Sequence, residues 1–300
     1  MTVLAPRVVL VYRHSEYEQL LARHGTHGQA EFFLASHGRS LAEVAGRHAA
    51  QQRALTTVAA AIPLDWRRGR VERSDLDRFL FAADDVIVAV GQDGLVANVA
   101  KYLDGQPVIG INSDPARNPG VLVPHPPEAA ATLLRLAGTS QIDRHVQART
   151  MVEAASDDGQ RLIALNEIYL GHASHQTGRY TLRLSNGESE RQASSGILVG
   201  TGTGATGWCR SSWRERRSTL VLPAPSEAAL SWFVREAWPS PATGTSLTEG
   251  LLADGATASV AVESEHLVAF GDGIEDDALR LDWGQNVVVG VASRSLRLVR

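Results

Sequence analysis

The chain has 300 residues, 44% of them hydrophobic, with 29 Lys and Arg against 33 Asp and Glu for a formal net charge of −4. That length can bury a core without covalent staples, and its single cysteine, Cys209, excludes an intrachain disulfide and a cysteine-based zinc site. The mild acidity leaves no electrostatic footprint for nucleic acid or an anionic membrane surface, and no apolar run is long enough to span a bilayer.

In chain order, Arg7 to Tyr12 reads as a buried strand. It lacks the basic start, long apolar stretch and cleavage site of a secretory signal, so the expected location is cytoplasmic. Residues 40–61 carry helical spacing, and Ser74 to Leu80 reads as a short helix opened by a capping serine. Val86 to Val90 is a continuous apolar strand. Gly91 to Gly94 turns, Leu95 to Leu103 is helical, and Pro107 to Ile111 is the next strand. This β-α-β unit implies a parallel sheet with a right-handed crossover. A helix over Glu128 to Leu136 follows.

From about residue 142 the pattern changes to strands: 148–155, 161–170, 179–185, 196–200, 218–222, 257–263, 266–270 and 286–299. Asp157-Asp158-Gly159 and Ser185-Asn186-Gly187 are hairpin turns. The expected fold class is an α/β parallel-sheet domain over 1–140, then a mostly β, sandwich-like domain over 141–300, its last strands packing back on the first domain.

Three segments carry the chemistry. In Val90-Gly91-Gln92-Asp93-Gly94-Leu95, a carboxylate lies beyond the carboxyl end of a parallel strand, where ligands of open α/β sheets gather. Gly91 and Gly94 permit tight or positive-φ backbone close to a phosphate, and the helix start offers free N–H groups and favours negative charge. Asp93 can equally be a plain helix cap. Its chemical role would be to orient a sugar hydroxyl and take its proton late.

In Ala164-Leu165-Asn166-Glu167-Ile168, Asn166 and Glu167 interrupt an apolar run. On a strand they would point to opposite faces, and the inward one needs a partner. Asn166 suits a base or ribose, and Glu167 suits vicinal ribose hydroxyls; an edge or bulge with both solvated is the alternative. The third segment, Gly200-Thr201-Gly202-Thr203-Gly204-Ala205-Thr206-Gly207-Trp208, matches Gly-x-Gly-x-x-Gly after a strand. Cys209 to Arg217 carries no apolar helical stripe, so a loop gripping adenine or phosphate fits better than a Rossmann turn. Trp208 is large enough to stack on a base, or it is core. Arg210, Arg214, Arg216 and Arg217 either pair with phosphates or form a solvated run. His172 and His175 make a poor metal signal.

Of the 29 basic residues only Lys101 is a lysine, which excludes a Gly-Lys-Ser/Thr phosphate loop and the strand lysine of protein kinases.

Taken together the segments resemble the NAD kinase family over nearly the whole chain. Gly91 to Leu95 is similar to the family's Gly-Gly-Asp-Gly-Thr, and Pro107 to Asn112 to the strand after it. Asn166-Glu167 is similar to its Asn-Glu pair, Gly202 to Trp208 to its Gly/Thr loop, and Asp272-Gly273 to its late Asp-Gly. The wording is closest to the mitochondrial-type branch. The resemblance implies transfer of the ATP γ-phosphoryl group to the 2′-hydroxyl of the adenosine ribose of NAD or NADH. It makes Asp93 the catalytic carboxylate. Gly91, Gln92, Gly94, Asn112, Asn166, Glu167, Ser195, Thr203, Gly204, Thr206, Gly207, Trp208 and Asp272 become substrate-binding, Mg²⁺ accompanies ATP, and the assembly is a homodimer or higher oligomer.

Two departures sit nearest the phosphates. Gln92 replaces a glycine and Leu95 a threonine, which opens polyphosphate as a donor or a dinucleotide-binding protein with weak catalysis. Ser195 stands where the common branch has an aspartate, leaving NAD and NADH both open. A lipid or small-alcohol kinase shares only the Gly-Asp-Gly motif, and a Rossmann oxidoreductase would need no ATP.

Overall fold

The structure is a computed structural model that describes residues 5–300. It divides into two compact units, Met1–Gln147 with Arg297–Arg300, and Ala148–Leu296.

The first unit contains β1 (Arg7–Tyr12), α1 (Glu16–His24), α2 (His27–Ser36), α3 (Leu41–Ala61), β2 (Arg67–Glu72), β3 (Asp85–Gly91), α4 (Asp93–Ala100), β4 (Pro107–Asn112), α5 (Ala130–Ala137) and the first half of β5 (Val146–Arg149). In the second unit follow β6 (Val152–Ser156), β7 (Arg161–Ala164), β8 (Glu167–His172), β9 (Gly178–Leu184), β10 (Ser189–Ser194), β11 (Gly196–Gly200), α6 (Trp208–Glu215), β12 (Leu230–Arg235), β13 (Glu249–Leu252), β14 (Thr257–Val262), β15 (Leu267–Gly271), β16 (Ile274–Leu281) and β17 (Asn286–Val291). The final strand, β18 (Leu296–Val299), joins the sheet of the first unit.

That sheet runs β2-β1-β3-β4-β18-β5, with parallel pairing from β2 through β18. Strand order reverses between β1 and β3, and the segment after β3 opens at this switch point. After Asp85, β3 is apolar to its end and buried on both faces, as a central parallel strand must be. In α4, Leu95 to Ala100 are all buried, so this helix is core on nearly every side.

In the second unit two antiparallel sheets, β10-β9-β14-β17-β6-β7 and β13-β12-β11-β8-β15-β16, share one core. Tyr180, Leu182, Val260 and Val289 enter it from one sheet, and Leu170, Ile197, Trp232 and Leu267 from the other. The mixed class, a parallel α/β sheet followed by a β sandwich, is the one the patterns imply.

Several local expectations change. The 161–170 run is two strands broken at Leu165 and Asn166. The 286–299 run is likewise two, β17 and β18. Residues 218–222 form no strand: Leu220 and Leu222 pack on Phe233 and Leu198 as an irregular segment before Pro223. Arg73–Arg78 is a 3-10 helix. β2, β10, β12, β13 and β16, together with α1 and α2, have no counterpart in the sequence reading. β2 and β16 are charged edge strands, the usual protection of an open sheet edge, and charge hides their periodicity.

Candidate functional site

In the first unit, β3 delivers Gly91 directly opposite Asn112 at the end of β4. The residue capping α4 is Gln92, whose side chain makes no cap hydrogen bond. Asp93 occupies the first helical position, and its carboxylate turns to the segment after β4. Oδ1 accepts the amides of Leu122 at 2.7 Å and Val123 at 3.1 Å, and Oδ2 accepts that of Val121 at 3.1 Å. A carboxylate has about four acceptor positions; three are filled and one, on Oδ2, remains.

Asn112 anchors the same segment. Its Nδ2 donates to Asn118 O at 3.0 Å and its Oδ1 accepts from Asp114 N at 3.0 Å. Glycine is needed at two places here that the sequence reading passed over. Gly120 has φ +74°, and a Cβ there would sit 2.6 Å from Val123 O. A Cβ at Gly110 would collide with Leu122 O. Gly91 and Gly94 are not among the positive-φ glycines. Gly94 faces open space, and Gly91 is covered by a Leu95 methyl 3.2 Å from where its Cβ would be. Leu95 is therefore a packing residue, 5% exposed.

In the second unit an aspartate does the same work at another turn. Asp272 follows β15 at φ +54°. Its carboxylate accepts the amides of Leu165 at 2.8 Å, Asn166 at 2.7 Å and Glu167 at 3.4 Å. Asn166 and Glu167 thus sit on a pinned turn at the start of β8, not on the two faces of one strand.

Thr201, which the sequence reading did not single out, ties that turn to the Gly/Thr loop. It is fully buried. Its amide donates to Asn166 O at 2.9 Å and its hydroxyl to Leu165 O at 2.6 Å. The same oxygen accepts the amides of Thr203 at 3.1 Å and Gly204 at 3.3 Å. A Cβ at Gly204 would collide with the Asn166 carbonyl oxygen, so the two segments touch backbone to backbone. Its sequence signal was a threonine between two glycines at a strand end, indistinguishable from its neighbours without the partner turn.

Two polar atoms in this assembly are buried without a hydrogen-bond partner, Glu167 Oε2 and Thr203 Oγ1. Burial, and then the negative charge of Asp272, push the Glu167 carboxyl up to about 8. Thr206 closes the loop through its hydroxyl on Thr203 O at 3.0 Å, and Gly207 N donates to Gly204 O.

Trp208 opens α6 with its ring stacked on Tyr169 at 5.6 Å, and the Arg235 guanidinium lies 5.3 Å from its centroid. Tyr169 donates to Ser195 O at 2.7 Å, which puts Ser195 and Trp208 on one aromatic cluster. Gly207 does precede a helix, yet β11 pairs antiparallel with β12 and β8, which removes the Rossmann alternative. Of the arginine run, Arg216 donates to Thr248 O and Arg210 lies over Trp213. No helix is long and apolar enough to cross a membrane among the described residues.

No family model matches the chain. It is 28% identical over 250 residues to the mitochondrial NAD kinase 2 of Homo sapiens, covering 67% of this chain and 57% of that protein. It is 29% identical over 196 residues to the NAD kinase of Halorubrum lacusprofundi, covering 63% of this chain and 66% of that one. The chain therefore spans under two thirds of the length of the human relative. A crystallised NAD kinase from Archaeoglobus fulgidus in complex with ATP superposes with TM-score 0.60 at 17% identity over 98% of this chain and 93% of that one. Yeast NADH kinase complexed with NADH gives 0.61 at 14% identity over 99% and 84%. The chain has the fold of the NAD kinases and is similar in sequence to mitochondrial NAD kinase 2, as its motifs implied.

Proposed function

We propose that this protein is an NAD(H) kinase, moving the γ-phosphoryl group of ATP to the 2′-hydroxyl of the adenosine ribose of NAD or NADH. The observation that carries the reading is the pinned Asn166–Glu167 turn. A buried carboxylate oxygen without a partner lies in the same assembly as a loop of hydroxyls and amides. Vicinal ribose hydroxyls are donors that such an oxygen lacks.

We assign the donor phosphates to the first unit and the dinucleotide to the second. Gly94 leaves the start of α4 open, and its free N–H groups suit phosphate oxygens. Asp93 uses its remaining acceptor position to orient the attacking hydroxyl, and Asn112 holds the segment that Asp93 grips. The Mg²⁺ of this reading arrives with the nucleotide, held by phosphates and water. When bound, the ion neutralises charge developing on the phosphoryl oxygens. Asn166 hydrogen-bonds the ribose or base, Thr203, Gly204, Thr206 and Gly207 surround the adenine, and Trp208 and Ser195 lie further along the same ligand. The reading includes a cytoplasmic homodimer, tested by fractionation and by light scattering.

The deciding experiment offers NAD and NADH separately, with Mg²⁺ and either ATP or polyphosphate. NADP(H) with one donor establishes the activity and fixes donor and acceptor together. A second reading, a dinucleotide-binding protein with little turnover, draws on exposed Gln92 at the cap of α4 and on Leu95, whose buried side chain offers no hydroxyl. NAD binding by calorimetry without product would favour it.

A further inference from the structure

The outer face of the sheet that begins at β10 carries a positive charge that its own neighbours do not meet. Along β9 this face presents Arg179, Thr181 and Arg183, since Tyr180 and Leu182 point into the core. On β10, Arg191 lies opposite Thr181 and Ala193 opposite Arg179. Glu263, just after β14, donates its amide to Arg179 O, so its carboxylate starts beside Arg179. That carboxylate is engaged elsewhere: Oε1 accepts from Thr181 Oγ1 and Oε2 from Arg191 Nε, each at 2.5 Å. Burial would raise the Glu263 carboxyl, yet those two bonds and the charges of Arg191 and Arg183 hold it below its ordinary range. The backbone of Arg179 is bonded to Ser264, but its exposed guanidinium has no partner among the described residues.

That guanidinium lines two cavities that share one floor. The first, about 570 Å³, holds Arg179 and Arg191 with Gln176 and Thr177, and is walled by Trp238. The second, about 420 Å³, continues across the same four residues to Trp283. Both volumes lie in the range of small-molecule pockets. Trp238 is firmly placed. Its amide donates to Ala193 O at 2.7 Å, and its carbonyl accepts the Thr243 hydroxyl at 2.9 Å. Ser240 and Thr243 exchange amide-to-carbonyl bonds, and Gly244 N donates to Arg191 O, which lays the loop along β10. Yet the indole is 68% exposed. An ordered loop thus displays a flat apolar surface to water beside a guanidinium that nothing in the fold uses.

We propose that this groove binds a small organic anion in which a phosphate or carboxylate is joined to a flat ring. Arg179 takes the anionic group, and the ring lies on Trp238. A guanidinium fork matches either anion with two parallel hydrogen bonds, and an indole face stacks on a flat ring whatever its substituents. No acidic side chain lines the cavity walled by Trp238, whereas Glu263 and Glu265 line the other. The anionic group therefore belongs in the first. None of these residues is among those assigned to phosphoryl transfer, so the site stands whether or not the chain makes NADP(H).

The test follows the six indole N–H resonances of the full chain by NMR. Trp238 is assigned by its loss in Trp238→Phe, and Trp208, in the other candidate site, by its loss in Trp208→Phe. The probes are uridine monophosphate, benzoate, uridine and inorganic phosphate. Uridine monophosphate or benzoate should shift the Trp238 resonance to saturation with a Kd below about 1 mM, and the tighter of the two names the source of the anion. Uridine and inorganic phosphate each offer half of the contact and should bind at least about tenfold more weakly. Arg179→Gln, at an exposed position, should weaken the Trp238 titration about tenfold or more and leave the Trp208 response as in the parent. A Trp238 resonance that neither ring-bearing anion moves below roughly 10 mM overturns the proposal. Inorganic phosphate that binds as well as uridine monophosphate also overturns it, since Arg179 is then an ordinary surface cation. So does a titration of Arg179→Gln that equals the parent's.

Discussion

Asp93 and Asp272 make the same three-amide grip in different surroundings, and the contrast separates structure from chemistry. Asp93 holds residues 121–123 from a half-exposed helix start with open space beside Gly94. Asp272 holds residues 165–167, and the group it presents, Glu167, is left with a buried, unpartnered oxygen. The first grip shapes an open helix start. The second creates an unmet demand for a hydrogen-bond donor. A carboxylate that accepts several amides is doing structural work whatever else it does, so motif membership alone does not decide which aspartate or glutamate carries the reaction.

The sharpest way to break the parallel is to remove both grips. Asp272→Ala leaves three amides of a largely buried turn without acceptors and should cost about 3 kcal/mol or more of stability. Asp93→Ala, with water nearer, should cost visibly less; chemical denaturation of each variant checks the order, and equal losses would make the two sites energetically alike. Asp93→Asn places an NH₂ against backbone donors and shifts residues 121–123. Turnover should fall about 10²-fold, as for small misplacements of reacting groups, with NAD affinity within a few fold by calorimetry. Near-normal turnover would remove Asp93 from the reaction.

The pH dependence of stability sharpens the difference further. Glu167 is raised in the folded chain from its ordinary 4.5 to about 8, so the folded state binds the extra proton across that window. Stability contributed by this group therefore falls as pH rises between those values. Glu167→Gln should gain roughly 2 kcal/mol over the parent at alkaline pH, after discounting partial solvent access, and little in acid; melting curves at both ends measure it. Gly120→Ala forces a side chain into the left-handed region and against Val123 O, costing about 1–2 kcal/mol and loosening what Asp93 holds. Smallest of all, Gln92→Gly with Leu95→Thr should lower the KM for ATP by a few fold while giving up some packing at Leu95. An unchanged KM would make both departures neutral.

Much of this was legible in the sequence because it was written in local periodicity. The apolar run Val86 to Val90, the turn and the buried helix after it are a β-α-β unit from pattern alone, and the Asp157-Asp158-Gly159 and Ser185-Asn186-Gly187 hairpins follow from turn chemistry. The acidic residues of the grips were visible too. Their partners were not. That Asp93 reaches the amides of residues 121–123, and Asp272 those of residues 165–167, depends on contacts 28 to 107 positions away along the chain. Thr201 was hidden for the same reason. The choice between strand face and bulge stayed open at Asn166 because the apolar run Leu162 to Leu170 reads as one strand until a distant carboxylate bends it.

The path of the chain between its units has a consequence for biosynthesis. Strand β4 pairs with residues 297 and 298, and Val299 is fully buried in the core of the first unit. Every residue of the second unit lies between. A nascent chain can therefore complete the whole sandwich while the edge of β4 still waits, unpaired, for a strand that the ribosome has yet to make. Until then the parallel sheet keeps an open edge at β4, where aggregation begins most readily.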